Sequence, residues 1–480
     1  MNRISRCQLL GLLLISVCVG AVSAQEHGGY LGRPGGYFNG RHIGYVPKHE
    51  KVDCQAGCAV CAEATVPPLE SEHAHLLTVD QVNYQQPVSV SEDAHVDGVD
   101  IYEGQLIDEN GEYLETYPDS YGPTHPKMET STTSLIYGGI EYLHWWTTGM
   151  DIPALVTTSP AADQGILGAP GTSVLFGEEG LNQNGRPGGR LTLGRMLNPD
   201  CGQGLEVTFL RLAEESEQFV ASGADYSVLA RPFFNTVSGQ QDSRRIVFPG
   251  VVEGSLNVIS STEFETFQAV FRQVYAEIPG VRADYFFGYR YADLKDFIRV
   301  NEATVSLSGP TIGSTFSLYD QFESENKFHG GEFGIRIIKQ KNFCWSFECS
   351  AQIALGNTQS LVQIDGQTVA TARDGSSTTT DVGLLTQESN IGEYQVDKFS
   401  GIAEFGINAR RHFVCGLDAK IGYTAFFWSD VIRAGDQMDL DINTTQIPPG
   451  QLQGPPAPIF PAETSSFWAH GLNVGLEYSY

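Results

Sequence analysis

Val281-Arg282-Ala283-Asp284-Tyr285-Phe286-Phe287-Gly288-Tyr289-Arg290-Tyr291-Ala292 is the stretch that decides the fold. Val281, Ala283, Tyr285, Phe287, Tyr289 and Tyr291 fall on one side of a period of two. Arg282, Asp284, Gly288 and Arg290 fall on the other, interrupted by Phe286. Strict alternation of this kind is the mark of an extended strand with two unlike faces. The pattern recurs. In 343–355 the odd positions run Phe343, Trp345, Phe347, Cys349, Ala351, Ile353, Leu355, against Ser346, Glu348, Ser350 and Gln352. In 399–410 Phe399, Ala403, Phe405 and Ile407 oppose Ser400, Glu404, Asn408 and Arg410. In 413–425 Phe413, Cys415, Leu417, Ala419, Ile421 and Tyr423 oppose Asp418, Lys420 and Thr424. The final segment sets Trp468, Leu472, Val474, Leu476, Tyr478 and Tyr480 against Gly471, Asn473, Gly475, Glu477 and Ser479.

Weaker alternation over 135–147, 189–198, 203–213, 254–262, 264–275, 296–306, 314–322 and 327–338 brings the expected number to about twelve strands, within a range of roughly 10–14. Most span about 9–14 residues, longer than the ~5–6 of soluble strands and matched to the ~9–11 that cross a bilayer. One face is apolar and aromatic while the other mixes unlike charges with Gly and Ser. Lipid outside and water inside produce that split, so the expected fold is an all-β, antiparallel, up-and-down transmembrane barrel over 134–480. The competing arrangement, a soluble sandwich with one wet face per sheet, would bury the same Phe, Tyr and Leu side chains between two layers. Trp145, Trp146, Trp345, Trp428, Trp468, Tyr478 and Tyr480 fall near strand ends, where interfacial aromatics belong. The run ending at Tyr480 looks like the C-terminal signature that outer-membrane barrels present to their assembly machinery. Closure requires this strand to pair with the first, since an open edge in lipid is not tolerated. The expected partners are therefore outer-membrane lipid and the barrel-assembly machinery; oligomeric state is not encoded legibly.

Of 480 residues, 29 are Lys or Arg and 57 Asp or Glu, a formal charge of −28. That excess argues against nucleic acid, whose binding needs a basic face. Residues 1–24 carry Arg3 and Arg6, an apolar core from Leu9 to Val22, and small residues at Val22-Ser23-Ala24: a signal peptide cut after Ala24, hence export to a bacterial outer membrane. Its loss removes two arginines and no acid. Residues 25–133 form an acidic extension. His27 to Gly44 is rich in Gly, His and Tyr, and 52–126 has fifteen acids without Lys or Arg. Such composition buries little and is expected to be largely irregular. Long loops are expected near 149–188, 214–253 and 429–466, with tight connections near Pro279-Gly280, Asp293 and Ala409–His412.

Cys54-x3-Cys58-x2-Cys61 has the spacing that holds iron–sulfur clusters. In an exported chain a structural or intermolecular disulfide is the simpler reading, with zinc and His73 or His75 as a further alternative. His27, His42 and His49 could hold a metal only weakly. Asp108, Asn110 and Glu112 start like a calcium loop, but Tyr113 stands where that loop needs Gly. No metal or cofactor is expected. Cys344 and Cys349, five apart, should point to opposite faces, and Cys349 and Cys415 toward lipid. Arg282, Asp284, Arg290, Glu332, Arg336, Glu348, Glu404, Arg410, Asp418, Lys420 and Glu477 are expected inside, as a charged pore lining that sets selectivity or as ion pairs that fill a narrow barrel. About twelve strands leave a marginal lumen. Neither Gly-x-Ser-x-Gly nor His-Glu-x-x-His nor a phosphate loop occurs, so the chain is not expected to be an enzyme. His144, His329 and His470 are available to a serine, but no spacing selects one.

Several segments resemble the putative beta barrel porin-7 family of bacterial envelope proteins. They are Glu141-Tyr142-Leu143-His144-Trp145-Trp146, Pro153 to Ser159, Gly165-Ile166-Leu167-Gly168, Pro170 to Gly177, Gly188 to Gly194, Arg231-Pro232-Phe233-Phe234-Asn235, Phe248-Pro249-Gly250 and Gly288-Tyr289-Arg290-Tyr291. The resemblance covers about 134–480. It implies a barrel more firmly than transport and carries no catalytic residues. The expected function is a passive pore for small solutes or a structural envelope protein; the alternative is surface attachment without transport, and a barrel enzyme stands behind both.

Overall fold

A computed structural model describes residues 100–102, 105–107, 136–199, 201–413 and 416–480. The leader, Cys54, Cys58, Cys61 and Cys415 lie outside the described residues. The chain divides into two compact units, Met1–Leu114 and Glu115–Tyr480. In the first, Asp100–Tyr102 pairs antiparallel with Gln105–Ile107.

In the second unit ten strands close on themselves: β1 (Ile136–Thr147), β2 (Arg186–Asn198), β3 (Gln203–Leu212), β4 (Val252–Ile278), β5 (Val281–Ser306), β6 (Thr315–Gln340), β7 (Trp345–Thr371), β8 (Gly392–His412), β9 (Leu417–Val431) and β10 (Ser465–Ser479). Each pairs antiparallel with its neighbour in the chain, and β10 pairs with β1 from Ala469↔Thr147 to Ser479↔Tyr137. The turn-side part of the ring therefore has no open edge, the condition for lying in hydrocarbon. The connections at one end are tight. Gly280 takes a left-handed turn at φ 78° between Ile278 and Val281, which Gly adopts at no steric cost. Long segments leave the other end.

Ten strands is the low end of the expected range, for one reason. Candidates 254–262 and 264–275 are a single strand β4, 281–292 and 296–306 are β5, and 314–322 and 327–338 are β6. The polar clusters that look like breaks are Glu263 and Glu265, Asp293 and Lys295, and Glu323 to Lys327. They lie inside continuous strands, so Asp293 is not at a turn. Ala409–His412 likewise ends β8 and the turn follows it. Strands β4 to β7 are 26 or 27 residues long, about 90 Å of chain at ~3.3 Å per residue, against ~30 Å of hydrocarbon. Only the turn-side part of each can sit in lipid.

The outward faces locate that part. Toward the turns they carry Ile140, Leu193, Val207, Phe287, Phe333, Ile353, Phe405, Ile421 and Val474, all exposed. Farther along the same faces come ion pairs such as Arg211–Glu263 (3.1 Å), Lys295–Glu325 (2.8 Å) and Lys327–Glu325 (2.7 Å). The clusters mistaken for turns are where the outward faces change from apolar to charged. Inward faces make the opposite change, from charged near the turns to Leu256, Val258, Ile298, Val300, Leu318, Phe322, Val362 and Ile364 near the loops. Against these pack Leu155, Val156, Leu229, Phe233, Leu384, Ile432 and Ile442 from the connecting segments, which fold inward. A five-stranded sheet, including Val156–Thr158, Leu229–Asn235 and Gln240–Val247, organises this filling.

Phe405→Arg, on the belt, is expected to destabilise the barrel by ~2–4 kcal/mol in denaturant titrations in lipid vesicles. Gln395→Arg, ten residues nearer the loops on the same face of β8, is expected to change it by less than about 1 kcal/mol.

Candidate functional site

The inward faces near the turns enclose a cavity of about 620 Å³ lined by both signs of charge. Arg190 of β2 donates to Glu141 of β1 (3.3 Å) and Glu404 of β8 (3.4 Å). Arg290 of β5 reaches Glu332 (3.0 Å) and the same Glu404 (2.6 Å). Arg336 of β6 holds Glu206 of β3 (2.7 Å), to which Tyr137 also donates (2.7 Å). Arg272 and Arg282 share Asp284, at 2.5 and 2.8 Å. Arg410 joins Glu348 (2.5 Å) to Glu477 (2.9 Å), and Lys420 bonds Glu141 (2.9 Å). The pairs Arg190–Glu404, Arg290–Glu404 and Arg336–Glu206 link strands three or four places apart around the ring, so they cross the lumen rather than run along its wall.

All eleven charges expected inside point inward. Arg282, Arg336, Glu348, Glu404, Arg410, Asp418, Lys420 and Glu477 line the cavity, while Asp284, Arg290 and Glu332 are buried in the network. Sequence reasoning missed Glu141, Arg190, Glu206 and Arg272, whose strands alternate less regularly; cross-strand placement opposite the recognised charges is the signal that finds them. Phe286, which breaks the pattern in 281–292, is buried beside the Arg336 guanidinium, 5.7 Å from the ring centre. It lies over Gly334, where a Cβ would come within 2.3 Å of its ring.

The interfacial aromatics divide. Trp146, Trp468, Tyr478 and Tyr480 are outward and exposed, and Trp345 at the turn end stacks with Arg411 (5.5 Å). Trp145 and Trp428 do not lie at an interface. Both are fully buried, because their odd and even positions on β1 and β9 face the lumen. They belong to an apolar layer across the barrel above the charged cavity, with Leu143, Leu210, Phe264, Leu294, Phe328, Ile402, Phe426 and Phe467. Phe264 on β4 touches Phe426 on β9 and Phe467 on β10, each at 5.0 Å between ring centres. Strands β4 and β9 stand opposite each other in the ring of ten, so the layer spans the lumen. Trp145 Nε1 donates to Asn473 (2.9 Å) and Trp428 Nε1 to Thr358 (3.0 Å), so their polar edges are satisfied.

Beyond the layer, buried charges fasten the inward-folded segments. Arg433 pairs with Asp296 of β5. Arg231 approaches Asp320 of β6 (2.6 Å) and Glu302 of β5 (3.5 Å), all three almost wholly buried, and Arg244 also meets Glu302. Asp320 accepts from the backbone of Leu385 (2.9 Å) and Thr386 (3.0 Å) and from the Thr386 hydroxyl (2.7 Å). The Asp436 carboxyl is pushed up by burial, against a hydrogen bond from Ser465 and the field of Arg433. Sequence reading placed no loop at 372–391, yet Leu384, Leu385, Thr386, Gln387 and Asn390 are buried there.

The histidines separate by face. His329 meets the Tyr289 hydroxyl (2.6 Å) and His470 that of Tyr423 (2.7 Å) on the outer surface, where His144 packs edge-on against Trp146. None of the three faces the cavity; His412 does. Cys349 is exposed on the outer face. Among the described residues no group of His, Cys, Asp and Glu is arranged to hold a metal.

The family model described as putative beta barrel porin-7 matches residues 137–480. No curated protein matches the chain. Among solved structures, the outer membrane protease OmpT of Escherichia coli is 7% identical over 72% of this chain and 97% of that one, with a TM-score of 0.35. The Pseudomonas putida toluene transporter TodX is 7% identical over 72% and 89%, at 0.18. A Pseudomonas aeruginosa FadL homologue is 8% identical over 72% and 90%, at 0.19.

Removing Arg231 leaves Asp320 and Glu302 buried with less compensation. Arg231→Met is expected to cost ~3–5 kcal/mol, read as faster limited proteolysis within 229–247 while the turn-side barrel keeps its heat-modifiable migration on denaturing gels.

Proposed function

From the premise that this chain belongs to the putative beta barrel porin-7 family, we propose that it is an outer-membrane barrel of the structural kind: a stable anchor whose lumen is closed and whose inward-folded segments present a rigid face at the cell surface. The signal-like leader, the lipid-height apolar belt and the uneven loop lengths support this placement, since short turns and long loops belong to opposite sides of such a membrane. The observation that carries the closed reading is the contact of Phe264 with Phe426 and Phe467 across the ring. Ten strands enclose little more than the ~8 whose interior side chains already fill, and far less than the ~16–18 of aqueous channels. Each cation of the cavity network also has a carboxylate partner, so it offers a permeant no uncompensated field.

A passive pore is the second reading. The charged cavity favours it, because a polar lining open to the turns would bias small solutes once the apolar layer and the segments beyond it were displaced.

Planar-bilayer recording of the purified chain separates the two. No conductance steps are expected at any voltage. Stepwise conductance whose ion selectivity shifts on Arg290→Ala or Glu404→Ala would establish the pore instead.

A further inference from the structure

The turn-side mouth of the cavity holds one arrangement that neither anchoring nor permeation uses. Ser346 lies at the start of β7, His412 ends β8 and Asp418 opens β9, so three neighbouring strands bring them to one rim. His412 Nε2 stands 3.0 Å from the Ser346 hydroxyl, and His412 Nδ1 stands 2.8 Å from an Asp418 carboxylate oxygen. All three line the cavity. The backbone of His412 is held as well, its N–H donating to Cys344 (2.8 Å). His329 and His470 show the contrast: each bonds a tyrosine hydroxyl on the outer surface.

We propose that Ser346, His412 and Asp418 form a hydrolytic site for small polar carboxylic esters that enter the cavity from the turn side. The chemistry follows from the two hydrogen bonds. Asp418 accepts from Nδ1–H, which fixes the tautomer that leaves Nε2 free to take the serine proton. The Ser346 oxygen attacks the ester carbonyl carbon while its proton passes to Nε2. The tetrahedral species then collapses: the bond from carbon to the alkoxy oxygen breaks, and the protonated His412 gives its proton to the departing alcohol. Water repeats the sequence on the acyl-serine, releasing the carboxylic acid and restoring Ser346. No oxidant, reductant or metal is needed. Arg410 lies directly opposite Ser346 in the β7–β8 register and on the same inward face. Its two terminal nitrogens serve Glu348 and Glu477, while its Nε–H has no acceptor among the described residues. Its charge is already shared by those two carboxylates and its Nε is buried away from the cavity, so it holds the rim around Ser346 rather than the carbonyl oxygen. A volume of about 620 Å³ lies within the usual range for small-ligand sites, and its charged walls disfavour long acyl chains.

The proposal is independent of whether the lumen conducts. The test uses the full purified chain folded in detergent, with heat-modifiable migration as the check on folding and a fluorophosphonate as the probe. A single adduct on the peptide containing Ser346 is expected. Ser346→Ala should abolish it, and His412→Gln should slow labelling by at least about 100-fold with migration unchanged. Asp418→Asn should slow it too and change its pH profile, which loss of a purely structural hydrogen bond would leave alone. Folded chain that takes no label, label that persists in Ser346→Ala, or labelling of His412→Gln at the native rate would each overturn the assignment.

Discussion

A strand in hydrocarbon cannot leave a backbone N–H or carbonyl unpaired, and this fixes the rest of the molecule. The pairing of β10 with β1 answers it by closing the sheet. Closure at ten strands then sets a narrow circumference, so the interior cannot be left as open water and must be filled by side chains or chain. Alternation divides every residue between that interior and the outside. The two environments outside, lipid toward the turns and water toward the loops, in turn decide the composition of each face along its length.

The interior is filled in two different ways, and the difference follows from what surrounds it. Within the belt, ion pairs join strands across the lumen, linking Glu404 to both Arg190 and Arg290 and Glu206 to Arg336. Such pairs need partners because a lone charge there is costly, and the cavity keeps part of their surroundings wet. Beyond the belt, the strands lose lipid on the outside, and their inward faces become an ordinary apolar core with the folded-in segments. There the few charges are anchors: Arg231 and Arg433 each tie a connecting segment to one or two strand carboxylates.

Much of the turn-side barrel was legible in the sequence because period-two alternation is a local signal, and a local signal suffices when one face meets lipid and the other water. The same rule failed where the environment changed along a strand. Glu263, Asp293 and Glu325 look like turn residues only if a strand is assumed to keep one outer medium throughout. Trp145 and Trp428 were misplaced because their nearness to strand ends suggested the interface, whereas parity puts them inside. The meeting of Ser346 with His412, 66 residues apart, was not legible at all: it depends on the register between β7 and β8, which no single strand encodes. Nor could sequence show that 372–391 folds inward, since its buried Leu384 and Leu385 belong to no alternating run.

The charged network and the apolar layer both cross the lumen, but they do not close it equally. An arginine paired with a carboxylate beside a wet cavity can exchange that partner for water or a passing ion, because the alternative partners are also polar. The layer at Phe264, Phe426 and Phe467 has no such substitute. Parting those rings exposes apolar surface and opens a void, and truncating even one buried Phe typically costs about 3–5 kcal/mol. The chain passes from the layer at Val431 to the core beyond at Ile432, and Arg433 lies over the Phe467 ring, 5.7 Å from its centre. On the proposed structural reading, closure therefore rests on the packing of Phe264 with Phe426 and Phe467. The arginines that first suggest a pore join strands three or four places apart around the space beneath it.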